Sequence, residues 1–90
     1  MSQYSEETDI LTIEKTIETQ RLVIYNDDVN TFDWVIETLV KICKHTPEQA
    51  EQCSIFIHTL GKYAVKEGSY KKLKPMKDAI TERGISAVIE

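Results

Sequence analysis

The apolar positions of this 90-residue chain change period several times, and each change marks the start of a new element. Arg21-Leu22-Val23-Ile24-Tyr25 is a short β-branched and aromatic run, which predicts a strand. Phe32, Val35, Ile36, Leu39, Val40, Ile42 and Cys43 then recur at helical spacing, predicting a helix over about 31–45 with Asn30 or Thr31 as its cap. Thr46-Pro47-Glu48-Gln49 restarts the chain, with threonine at the N-cap, proline at N1 and glutamine at N3 of a second helix. That helix carries Ala50, Cys53, Phe56, Ile57 and Leu60, and Gly61 is placed to close it in the left-handed conformation. Lys62-Tyr63-Ala64-Val65-Lys66 reads as a second strand turned by Glu67-Gly68, and Ser69 caps a third helix over about 70–83. Leu73, Met76, Lys77 and Ile80 share a face of that helix, while Pro75 implies either a start near Lys74 or a kink. Gly84 ends it, and residues 85–89 read as a last strand. The order β-α-α-β-α-β with one small sheet requires the helices to cover a sheet face, which is an α+β domain over residues 20–90.

Charge separates this domain from what precedes it. The net charge is −4, and residues 1–19 carry all of it, with Glu6, Glu7, Asp9, Glu14 and Glu18 against Lys15. An acidic leader without glycine, ahead of an electrically balanced domain, is expected to be a flexible extension. Ile10, Leu11, Ile13 and Ile17 leave it able to order as a weak amphipathic helix. No run of about 18 apolar residues and no signal-peptide pattern is present, so a cytoplasmic protein that does not span a membrane is expected. Cys43 and Cys53 fit no metal spacing and read as small buried hydrophobes in the reduced state.

The chemistry concentrates in Asn26-Asp27-Asp28, a run of acceptors wedged between an apolar strand and an apolar helix. Ordinary turn chemistry accounts for one or two such residues, because Asn and Asp bond their own backbone and suit a helix N-terminus. Three in succession ask for more: His58, one turn before Gly61, either simply suits the helix C-terminus or, if it faces the Asn26 turn, completes a set of acceptors matched to an α-ammonium, which has three donors and one charge. Apolar neighbours such as Phe32, Val35, Ile57 and Ile85 are then placed to line a hole for the attached side chain. A metal competes for the same groups through Asp27, Asp28, Asp33 and His58, but no calcium-loop pattern is present and no cofactor is expected. Neither Cys43, Cys53 nor Ser54 has a context that marks an activated nucleophile, so an enzyme is not expected; a small metal-dependent hydrolase using Asp27, Asp28 and His58 ranks last. Lys62, Lys66, Lys71, Lys72, Lys74 and Lys77 cluster late in the chain and suit an acidic protein partner better than nucleic acid, given the negative total.

At these residues the chain resembles the ClpS family, the bacterial adaptors of the N-degron pathway. The resemblance spans about residues 20–90: Asn26-Asp27-Asp28 after the first strand, Trp34-Val35 in the first helix, and His58 followed by Gly61-Lys62. It implies a three-stranded antiparallel sheet packed with three helices, and an adaptor that captures proteins beginning with leucine, phenylalanine, tyrosine or tryptophan. It also implies a monomer that delivers them to the N-terminal domain of a ClpA- or ClpC-type AAA+ unfoldase feeding ClpP, with the leader engaged during handover. By resemblance, Asn26, Asp27, Asp28 and His58 bind the α-amino group, and Asn30, Phe32, Val35, Ser54, Ile57 and Ile85 form the side-chain pocket. The chain departs from the family at Val29-Asn30-Thr31-Phe32, where an aromatic-threonine-proline-methionine run is usual, and at Ser54, where methionine is common. The ring of Phe32 in place of a gating methionine implies a narrower accepted set. The alternative outside this class is a regulatory interaction domain of ribosomal-stalk architecture with no degron pocket.

Overall fold

The computed structural model describes residues 19–90; the acidic leader, apart from Thr19, lies outside them. Its elements are β1 (Gln20–Tyr25), α1 (Phe32–Cys43), α2 (Pro47–Leu60), β2 (Lys62–Gly68), α3 (Tyr70–Glu82) and β3 (Ala87–Ile89). The strands form one antiparallel sheet in the order β2-β1-β3, so the first strand is the central one. This is the α+β arrangement and the β-α-α-β-α-β order that the sequence pattern predicts.

Each helix starts where a hydroxyl can satisfy amides that the first turn leaves without partners. Thr31, rather than Asn30, caps α1, its side chain accepting from the Trp34 amide at 3.1 Å. Thr46 and Gln49 form the complete reciprocal box at the start of α2, both bonds at 3.1 Å. Ser69 caps α3 by accepting from the Lys72 amide. Gly61 closes α2 at φ 88°, donating its N–H to Ile57.

Three boundaries differ from the pattern, each for a local or pairing reason, and the choice left open at Pro75 is settled. α1 stops at Cys43 because Lys44, with no glycine to announce it, takes the left-handed conformation at φ 61° and donates to the Leu39 carbonyl. β2 runs on through Glu67 and Gly68, which pair with Arg21 and Gln20 instead of turning. α3 begins at Tyr70, as the Ser69 cap predicts, and continues through Pro75 instead of starting near Lys74; the missing N–H of Pro75 falls on an exposed face. β3 is only three residues long: after Gly84 turns at φ 85°, the Ile85 amide bonds back to Ile80 and the side chain enters the core.

The core lies between the sheet and the three helices. Leu22 and Ile24 alternate onto the covered face of β1, where Leu39 and Cys43 of α1, Ala50 and Ile57 of α2, Val65 of β2, and Leu73 and Ile80 of α3 close over them. Among the described residues, the two buried hydroxyls are satisfied internally. Thr38 donates to the Trp34 carbonyl at 2.7 Å and accepts from Arg83 Nε at 2.8 Å, and Ser54 donates to Ala50 at 2.9 Å.

Candidate functional site

β1 delivers the Asn26 run to one particular place. The Asn26 amide donates to the Gly61 carbonyl at 2.8 Å, which seats the β1–α1 loop against the C-terminal end of α2. His58 lies one turn earlier in that helix and is therefore brought to the same side. A cavity of about 280 Å³ opens between the loop, the first turn of α1 and α2. Its polar rim is Asn26, Asp27, Asp28, Asn30, Thr31 and His58, and its apolar wall is Phe32, Val35 and Ile57, with Ser54 beside them. Phe32 meets His58 edge-on, ring centroids 5.9 Å apart and planes at 83°, and remains 42% exposed at the mouth.

The acceptors on the rim are not equivalent. Asp27 Oδ1 accepts from the amides of Val29 at 2.8 Å and Asn30 at 2.7 Å, and its Oδ2 accepts from Asn30 Nδ2 at 2.8 Å. These bonds, the Asn30 amide first, hold the Asp27 carboxyl below its ordinary pKa against the opposing effect of desolvation. The side-chain oxygens of Asn26 and Asp28 and the ring nitrogens of His58 have no hydrogen-bond partner among the described residues. Those three side chains offer oxygen and nitrogen lone pairs toward one cavity, next to an apolar recess. The arrangement suits a cationic group attached to an apolar side chain.

Two placements differ from the expected set. Ile85 is 2% exposed within the core and is not among the residues lining this cavity. Thr31, read from the sequence only as a cap, lines it as well as capping α1. Its place at the mouth follows from the cap itself, since an N-cap side chain sits where the loop enters the helix.

The remaining candidates are distinguished by their neighbours. Among the described residues no group of three or more His, Cys, Asp or Glu side chains is arranged to hold a metal ion. Cys43 and Cys53 are both free thiols; Cys43 is buried, and desolvation pushes its pKa up to about 11, far from a nucleophile's range. A larger concavity of about 360 Å³ opens on another side of α2, lined by Lys44, His45, Cys53, Tyr63 and Lys66 among others. Two ammonium groups and no carboxylate line it, so it cannot attract a cation. In the lysine cluster, the Asp78 carboxylate offsets the charge of Lys74 at 2.6 Å, while Lys66 donates to the Cys43 carbonyl at 3.2 Å. Among the described residues no helix is long and apolar enough to cross a membrane.

Comparisons with known proteins bear on the family and the fold. The sequence matches the model of the ATP-dependent Clp protease adaptor protein ClpS over residues 15–87. No curated protein matches it. Among solved structures it is similar to Agrobacterium tumefaciens ClpS2 bound to L-phenylalaninamide, at a TM-score of 0.69 and 18% identity, over 81% of this chain and 95% of that one. At that identity the likeness speaks for the fold, and the family follows from the sequence match over most of the chain. The chain belongs to the ClpS family of ATP-dependent Clp protease adaptor proteins.

Proposed function

We propose that this protein is a non-enzymatic adaptor that captures the free α-amino group and bulky apolar side chain of a polypeptide's first residue. It presents that polypeptide to a ClpA- or ClpC-type unfoldase for degradation by ClpP. The observation that carries this reading is the single cavity in which unengaged acceptors of Asn26, Asp28 and His58 adjoin the apolar wall of Phe32, Val35 and Ile57. An ammonium needs several acceptors within one small space, and a hydrogen bond to a charged group contributes about 1.5–3 kcal/mol. Burying one large apolar side chain adds about 1.5–3 kcal/mol. At about 280 Å³ the cavity is slightly below the range of about 300–1,000 Å³ that holds drug-sized ligands. That size suits one terminal residue rather than a length of extended peptide.

The bound molecule of the Agrobacterium relative has this composition: a free amino group, an aromatic side chain and no negative charge. The same compound, L-phenylalaninamide, is therefore the first probe. In a two-dimensional amide NMR titration it is expected to bind saturably and to shift Asn26, Asp28, Phe32, Val35 and Ile57 together. Shifts confined to the Lys44–Lys66 concavity, or none at millimolar ligand, would overturn the assignment of the site.

A further inference from the structure

The last carbonyls of a helix have no donor within it and must find one elsewhere. Beyond the end of α3, two consecutive carbonyls find theirs in the segment that carries the site. Arg83 accepts from Trp34 Nε1 at 3.0 Å, and Gly84 accepts from Asn30 Nδ2 at 2.9 Å, a contact between residues 54 apart in the chain. Gly84 adopts φ 85°, a left-handed turn in which any side chain is strained. The guanidinium of Arg83 packs 4.0 Å over the Trp34 ring, fixing the two segments further.

Asn30 has a second task. The same Nδ2 that donates to Gly84 donates to Asp27 Oδ2, so both of its hydrogens are used. Asp27 Oδ1 meanwhile holds the amides of Val29 and Asn30. The loop is thus closed on itself through Asp27, fastened to the α3–β3 turn through Asn30, and fastened at its other end through the Asn26 amide to Gly61. Between these fastenings lie the Asn26 side chain and Asp28, both facing the cavity.

We propose that Asp27 and Asn30 are positioning residues, a strap that holds the loop in its binding shape before any ligand arrives. Three of the roughly four acceptor sites of the Asp27 carboxylate are taken by bonds that define the loop, so little of it is left for an ammonium. The amino group is instead left to Asn26, Asp28 and His58, which have acceptors to spare. A loop already ordered in the free protein does not have to be ordered on binding, so the strap raises affinity without touching the ligand. This deepens the proposed amino-group capture and rests on it.

Two measurements on the full chain test the strap. In the ligand-free protein, amide hydrogen exchange at positions 29 and 30 is expected to rise at least about tenfold in Asn30→Ala, while core amides such as Ile24 and Leu39 keep their protection. Unchanged exchange at both loop positions would overturn the proposal. If Asn30→Ala does not fold, Asn30→Asp, similar in shape but lacking the donor, takes its place.

In the second measurement, a fluorescent peptide beginning with free phenylalanine is titrated against Asp27→Ala, Asn30→Ala and the double variant. Each single change is expected to raise Kd about tenfold, with the double variant no worse than either, as for residues acting as one unit. A much larger loss in Asp27→Ala than in Asn30→Ala, with the two effects adding, would make Asp27 a ligand and overturn the proposal. Failure of the unaltered protein to bind the peptide would count against amino-group capture, while the exchange measurement still decides the strap.

Discussion

Asn26→Ala is expected to weaken binding of a peptide with a free N-terminal phenylalanine by about 1–3 kcal/mol, roughly a five- to 150-fold rise in Kd. The side-chain amide of Asn26 has no other partner among the described residues, so its removal strands a donor on the ligand. The fold is expected to survive, because the anchor at this position is the backbone N–H to Gly61, which alanine retains. Circular dichroism and thermal melting check the fold, and fluorescence anisotropy or calorimetry reads the affinity. An unchanged Kd in a folded variant would remove Asn26 from the site.

Leu39→Ala is expected to be among the most damaging single truncations, lowering unfolding free energy by about 2–5 kcal/mol. Leu39 is 0% exposed at the centre of α1, packed in the core that includes Leu22, Ile24, Leu73 and Ile80. Domains of this size have only about 5 kcal/mol or a little more in reserve, so the loss consumes a large share of it. Urea denaturation followed by circular dichroism should show a lower midpoint at similar slope. Leu60→Ala, at a position 64% exposed, is the control and should move the midpoint little. Similar losses for the two variants would contradict the placement of the core.

Much of the fold was legible because its signals are local. Thr46, Pro47 and Gln49 announce a helix start through bonds made within four residues, and Gly61 announces an end through its backbone freedom. What could not be read depends on partners distant in sequence or on residues acting against type. Glu67 and Gly68 look like a turn, and only pairing with β1 makes them strand. Ile85 looks like strand, yet the turn at Gly84 ties its amide to Ile80 and takes it into the core. Lys44 ends a helix in a conformation usually left to glycine, and Pro75 sits within one.

The site divides in the same way. Residue type and spacing pointed to Asn26, Asp28, His58, Phe32, Val35 and Ile57, the family resemblance added Ser54, and the fold gathers all seven around one cavity. Residue type could not distinguish Asp27 from Asp28, since adjacent carboxylates look alike in a sequence. The difference arises from bonds to Val29 and Asn30, and from an Asn30 contact with Gly84 across the fold. Ile85, placed at the pocket by its apolar character as well as by resemblance, lies in the core instead of along its wall.

The most direct test of amino-group capture is calorimetric titration with two peptides that differ only at the first nitrogen, one beginning with free phenylalanine and one with acetyl-phenylalanine. Acetylation removes the charge and two of the three donors while leaving the aromatic side chain intact, so it isolates the role of Asn26, Asp28 and His58. Saturable binding of the free peptide, with no measurable binding of the acetylated one, is the predicted result. Equal affinity for both would contradict capture of the amino group and leave the cavity as a general apolar docking site.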